Sequence, residues 1–250
     1  EQVSAAAMAD VTGLRRYVFT SSVAVYAPGD GERGEDAALV APDDVNGYGA
    51  KKADSERALF ALWRERGVPV STLRPAFIYG PHNPFDRESF FWDRLLAGRP
   101  ILIPDDGRTT MQWVYSRDVA RAAVLASERD VAIGRAYNLA TYPPITQADF
   151  VHLLARIAGT TATLVPAPRE RLLELGGGLS RPPYYFGAYL DLPPLTVRPD
   201  RARSELGVTF TALEDGLRET FRWYQQQDRA KPDYAWEDKA LGALGRRPAG

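Results

Sequence analysis

Along this chain, short solid runs of β-branched and aromatic residues alternate with longer stretches in which apolar residues return every three or four positions. Arg16 to Ser22 (RYVFTSS) and Val68 to Leu73 (VPVSTL) are runs of the first kind and predict buried strands. Ala27 to Asn46, with its Pro, Gly and Asp, reads as a loop. Gly47 to Arg66 has helical spacing, with Ala53, Leu59, Leu62 and Trp63 available for one face and Gly67 as the stop. Strand, loop, helix, strand is a βαβ unit, which implies a parallel sheet with a right-handed crossover.

The pattern then predicts strands near Pro100–Ile103, Met111–Tyr115 and Tyr137–Ala140, and helices over Glu88–Ala97, Arg117–Ser127, Thr146–Ile157 and Leu213–Gln227. Thr146 is the expected cap of its helix, with Asp149 in the first turn where a carboxylate suits the dipole. The prolines between Pro182 and Pro199 predict a loop rather than sheet interior. Residues 1–12 read as the latter part of an Ala-rich helix ended by Gly13, so the chain reads as beginning mid-domain. The expected organisation has one part over 1–80 and 113–146, a second over 81–112 and 147–228, and a polar tail over 229–250.

Composition narrows the classes. With 45% hydrophobic and 25% charged residues, the chain can bury a sizeable core. A formal net charge of -1 supplies no basic field for phosphate backbones or anionic membranes, so nucleic acid is not the expected partner. No apolar run approaches the ~18 residues of a membrane span, and a cytoplasmic protein is expected. Without cysteine, and with His82 and His152 far apart, no metal site is expected. Arginine supplies 27 of the basic residues and lysine only four, two of them adjacent at Lys51 and Lys52.

Tyr48-Gly-Ala-Lys-Lys52 places a phenol and an ammonium four residues apart at a helix start, hence on one face. A phenol is a poor acid or base at neutral pH, and a nearby cation favours its ionised form. Beside a nicotinamide, such a pair can move a proton on or off a hydroxyl while hydride moves at the same carbon. Ser22, at the end of the first strand, stands where ligands bind in open α/β sheets and offers a hydroxyl to position the substrate oxygen.

Phe19-Thr-Ser-Ser-Val-Ala-Val-Tyr26, Tyr48-Gly-Ala-Lys-Lys52, Arg74-Pro-Ala-Phe-Ile-Tyr-Gly-Pro81 and Trp113-Val-Tyr-Ser-Arg-Asp-Val119 together resemble the signatures of the extended short-chain dehydrogenase/reductases, the nicotinamide-dependent epimerase/dehydratase family. The resemblance implies an incomplete doubly wound parallel (Rossmann) sheet lacking its N-terminal half, with a smaller C-terminal α/β substrate part. It implies Tyr48 as acid/base, with Ser22 and Tyr48 touching the reacting oxygen and Lys52 also contacting the ribose of NAD or NADP. Pro75, Ala76 and Ile78 would lie along the nicotinamide, with Phe77, His82 and Asn83 facing a small-molecule substrate; His82-Asn83 could equally form a turn. A homodimer built on the Gly47–Arg66 helix is a further expectation of the resemblance.

Departures refine the picture. The family's Gly-rich pyrophosphate loop has no counterpart; the missing portion is expected to be roughly 80–90 residues, the first mononucleotide-binding half. Gly29-Asp-Gly-Glu-Arg-Gly34 matches G-x-G-x-x-G by letters only, since it follows Pro28 and leads toward Pro42 instead of a helix. Val23-Ala24 stand where the family's sugar dehydratases carry an acidic pair, which disfavours dehydration. Met111 takes the place of a diphosphate-gripping arginine, with Arg108 and Arg117 close in sequence. The Phe91–Pro104 segment and the Asp233–Leu241 tail are similar to a branch that includes chloroplast stem-loop-binding proteins, so RNA binding or a non-catalytic scaffold is the competing reading.

Overall fold

The computed structural model describes residues 13–44, 47–85, 87–177 and 194–246. The expected helix over residues 1–12 and the 182–193 part of the Pro-rich segment lie outside them. Strand β1 (Tyr17–Thr20) leads to a 3-10 turn at Val23–Val25, followed by the two-residue strand β2 (Glu32–Arg33), the helix α1 (Gly47–Arg66) and β3 (Val70–Pro75). Next come β4 (Phe77–Tyr79), α2 (Glu88–Leu96), β5 (Ile101–Pro104), β6 (Thr110–Met111), β7 (Trp113–Tyr115), α3 (Ser116–Glu128) and β8 (Arg135–Leu139). The described order ends with β9 (Ile145–Thr146), α4 (Gln147–Ile157), β10 (Leu164–Ala167), α5 (Arg169–Glu174), β11 (Thr196–Val197), α6 (Asp200–Leu206), α7 (Leu213–Tyr224) and α8 (Ala235–Ala243).

Two compact units emerge, one of Glu1–Ile78, Gln112–Pro143 and Leu195–Thr211, the other of Tyr79–Met111, Pro144–Pro194 and Ala212–Gly250. The first holds a parallel sheet in the order β1-β3-β8, with Tyr17 opposite Val70 and Ser71 opposite Arg135. The βαβ reading therefore holds. Helix α1 buries Ala50, Ala53, Glu56 and Leu59, three residues apart, as one stripe, and stops at Gly67, whose φ of 69° favours a residue without Cβ. On the other sheet face Leu73, Tyr137 and Leu139 pack with Ala122 and Ala126 of α3 and with Ala202 and Leu206 of α6. Alternation along each strand thus separates an apolar face from one with polar members.

Two segments read as loops prove to be paired. Within Ala27–Asn46, β2 runs parallel to β11, which lies inside the Pro182–Pro199 stretch, with Glu32 opposite Thr196. Such two-residue strands carry no periodicity. They form because side-chain amides supply the missing ladder: Gln112 accepts from Val197 N–H (2.7 Å) and donates to its carbonyl (3.1 Å), while Asn138 donates to the carbonyls of Arg33 and Arg198. Leu195–Thr211, grouped by the sequence reading with residues 147–228, clusters with this first unit.

In the second unit β5 pairs with β10 in parallel, and β6 with β9 antiparallel. Thr146 caps α4 as expected, its hydroxyl accepting from Asp149 N–H at 3.1 Å. The core is aromatic: the Trp92 ring lies 5.0 Å from Phe221 and 5.3 Å from Tyr224, and Phe91 meets Phe150 edge-on. The segment from residue 229, read as a polar tail, contains helix α8. Trp236, Ala240 and Leu241 bury its apolar side, Glu237 pairs with buried Arg94 and Asp238 with Arg99, and Trp236 Nε1 donates to Leu175 C=O at 2.7 Å.

Candidate functional site

Strand β1 delivers Ser22 to the carboxyl end of the parallel sheet, where its backbone is extended and its hydroxyl accepts from Ala24 N–H at 3.1 Å, capping the 3-10 turn. Helix α1 presents Tyr48 in its first turn, 59% exposed and, among the described residues, with no hydrogen bond to its hydroxyl. One turn on, Lys52 is half-buried. Its Nζ donates to the Thr20 carbonyl at 3.1 Å and sits 4.9 Å from the centre of the Phe19 ring. An ammonium has three donors, so two remain for a ligand. Lys52 thereby ties the helix of Tyr48 to the strand end of Ser22.

Strand β3 ends at buried Pro75, and the half-buried Ala76, Phe77 and Ile78 follow. Ala76 N–H donates to Leu139 C=O at 2.9 Å, and the Phe77 ring lies 5.3 Å from Trp113. His82 and Asn83 fall in the second unit. His82 has a φ of 64° and its ring lies 5.4 Å from Trp223, while Asn83 Oδ1 accepts from Phe85 N–H at 3.1 Å, the geometry of a side-chain-closed turn. Nearby Glu88 is buried, with Oε1 unpartnered; burial pushes its carboxyl up to about 7, against the opposing pull of Gly80, Asn83 and Arg87.

A second set of residues, which the sequence reading did not single out, lies beneath α1. Buried Arg74 donates Nε to both Glu56 oxygens (3.0 and 3.1 Å) and Nη1 to the Tyr26 hydroxyl and the Glu35 carbonyl (both 2.8 Å). Tyr26 in turn donates to Asn138 Oδ1 at 2.6 Å. Burial pushes the Tyr26 phenol up to about 12 despite Arg74 and Asn138, so it stays protonated. Burial also raises the Glu35 carboxyl, opposed by the Asn138 N–H it accepts and by Arg201. For Arg74, burial opposes the charge, yet Glu56 and Tyr26 more than compensate and hold it protonated. The available signal was an arginine near the end of a buried strand and a glutamate four residues after Lys52.

Gly29–Gly34 contains β2 and starts no helix. The residues present fit the nicotinamide-ribose end of a dinucleotide, through the exposed Tyr48 hydroxyl, the two spare donors of Lys52 and the chain from Pro75 to Ile78. Among the described residues, none forms a Gly-rich strand-to-helix turn for a pyrophosphate. No group of His and acidic residues capable of holding a metal is found among them either, nor a helix long and apolar enough to cross a membrane.

The chain is 31% identical over 247 residues, 95% of its length, to the trifunctional UDP-glucose 4,6-dehydratase/UDP-4-keto-6-deoxy-D-glucose 3,5-epimerase/UDP-4-keto-L-rhamnose-reductase of Arabidopsis thaliana, and spans 33% of that protein. It is 29% identical over 148 residues to the chloroplast stem-loop binding protein of 41 kDa b of the same plant, covering 58% of this chain and 37% of that one. Its fold matches the UDP-glucuronic acid 4-epimerase of Bacillus cereus, solved with UDP-glucuronic acid and NAD, with a TM-score of 0.72 and 22% identity over 90% of this chain and 66% of the other. The family model described as "NAD dependent epimerase/dehydratase family" matches residues 2–140, which contain Ser22, Tyr48, Lys52 and the Arg74–Pro81 segment, and the chain belongs to that family.

Proposed function

We propose that the complete protein is an NAD(P)-dependent epimerase or reductase acting at a hydroxyl or carbonyl carbon of a sugar-like substrate, with Tyr48 as acid/base. The observation that carries this reading is the Lys52 ammonium held on the Thr20 carbonyl, which joins the Tyr48 helix to the Ser22 strand end. The exposed Tyr48 hydroxyl takes the proton from a substrate hydroxyl, or returns it to a carbonyl oxygen. Lys52, one turn along the same face, offsets the negative charge that develops on the Tyr48 oxygen. Ser22 donates to the reacting oxygen and fixes its position. The nicotinamide, when bound, supplies or accepts the hydride.

The 31% identity to an enzyme of UDP-sugar conversion supports a nucleotide-sugar substrate. Val23 and Ala24 can transfer no proton, which favours epimerisation or reduction over loss of water. The test is fluorescence titration of NADH and NADPH against this chain and against the complete protein, followed by Tyr48→Phe. Binding with turnover that Tyr48→Phe lowers by at least about 1,000-fold, with cofactor affinity retained, is expected. Unchanged turnover would sink the acid/base role, and absent cofactor binding would turn the assignment to the competing RNA-binding or scaffold reading, one relative being named for stem-loop binding.

A further inference from the structure

The proton transfer above makes no use of Arg74, Glu56 or Tyr26, yet these side chains join all three segments that carry it. Glu56 lies four residues beyond Lys52 on α1, about 6 Å along the helix, and is fully buried under the Arg74 guanidinium. Tyr26 follows the turn that Ser22 caps, and its N–H bonds back to Val23 C=O at 3.2 Å. Arg74 immediately precedes Pro75, whose ring fixes φ, so a backbone shift at Arg74 is passed on to Ala76 and Phe77.

A buried ion pair is seldom more stabilising than apolar side chains of the same volume, because desolvation offsets the attraction. Stability alone therefore does not account for this arrangement. The guanidinium plane does: it is a rigid fork that fixes the direction of several acceptors at once, which a lysine ammonium on a flexible stem does not. Two acceptors on Glu56, one on Tyr26 and the Glu35 carbonyl occupy that fork.

We infer that Arg74 is a positioning residue that holds the Ser22 turn, the Tyr48–Lys52 helix and the Pro75–Ile78 wall in one fixed register, and that turnover depends on it through them. The inference rests on the role proposed for Tyr48. In the complete protein, Arg74→Lys, folded at the assay temperature, lowers kcat by about 10- to 100-fold with KM nearly unchanged and displaces the pH profile of kcat. Tyr26→Phe, which removes one hydroxyl from the network, produces a smaller loss of the same kind.

A readout independent of cofactor is amide exchange followed by mass spectrometry. In both variants, residues 22–26 and 52–56 exchange faster, by about tenfold in Arg74→Lys, while α3, packed on the opposite sheet face, keeps its wild-type rate. Wild-type kcat and exchange in a folded Arg74→Lys overturn the inference. So does an acceleration that reaches α3 equally, which marks a general loss of stability. Should Arg74→Lys fail to fold, Tyr26→Phe decides by the same two criteria. Tyr48→Phe assayed in parallel separates the layers: its loss of turnover beside a wild-type-like Arg74→Lys overturns only the positioning role, whereas its full activity removes both.

Discussion

Each unit buries an arginine against a glutamate, and the two pairs are completed differently. In the first, both oxygens of Glu56 are engaged and the remaining reach of Arg74 goes to Tyr26 and Glu35. In the second, Arg94 grips one oxygen of Glu237 at 2.6 Å and lies against the Phe90 ring, while the other Glu237 oxygen is buried without a partner. Burial drives the Arg94 pKa down, opposed by Glu237, whereas the Arg74 pKa rises. A fully satisfied network specifies a geometry; a half-satisfied pair mainly fastens one element, here α8, onto another.

Removing one partner of each pair tests that contrast. Glu56→Ala strands a buried guanidinium and should cost about 3–5 kcal/mol in urea unfolding, whereas Glu237→Ala, which also deletes an unsatisfied oxygen, should cost about half as much. Equal losses would erase the distinction.

The unpartnered oxygen of Glu88 gives the next largest effect. Its carboxyl is raised from 4.5 to about 7 in the fold, so the native state binds the extra proton between those values and loses stability as pH rises through them. Glu88→Gln should match wild type below pH 4.5 and exceed it above pH 7 by up to about 3 kcal/mol. Melting temperatures of both proteins from pH 4 to 8 check this, and parallel curves would refute it. At the small end, Thr146→Ala removes the α4 cap for about 1 kcal/mol, and Arg171→Ala, at the exposed pair with Glu174, changes stability by less than about 0.5 kcal/mol. Urea midpoints resolve both.

What could be read from the chain followed how local its cause was. Helix α1 was legible end to end because its spacing lies within it and Gly67 directly follows it. The helix start that carries Tyr48 and Lys52 and the strand end that precedes Ser22 were legible because each lies in a local pattern. Strands β2 and β11 were not, since each exists through amides of Gln112 and Asn138 far away in sequence. Helix α8 was missed in part for the same reason: its charged partners Arg94 and Arg99 lie far away in sequence, and its buried apolar residues are only Trp236, Ala240 and Leu241. The Arg74 cluster shows the limit sharply, because Tyr26 and Arg74 stand in quoted motifs while their contacts with each other, Glu56 and Asn138 appear only once the sheet is formed.

The pairing of β2 with β11 also sets an order in time. Glu32 and Arg33 are synthesised early, and their partners Thr196 and Val197 follow only after most of the second unit has been made, on the order of ten seconds later at ordinary translation rates. Until then the amides of Gln112 and Asn138 have water in place of Val197 and Arg198. The first unit therefore cannot close until Leu195–Thr211 has been made, and a long-range parallel contact of this kind makes its final step slow relative to the local helices around it.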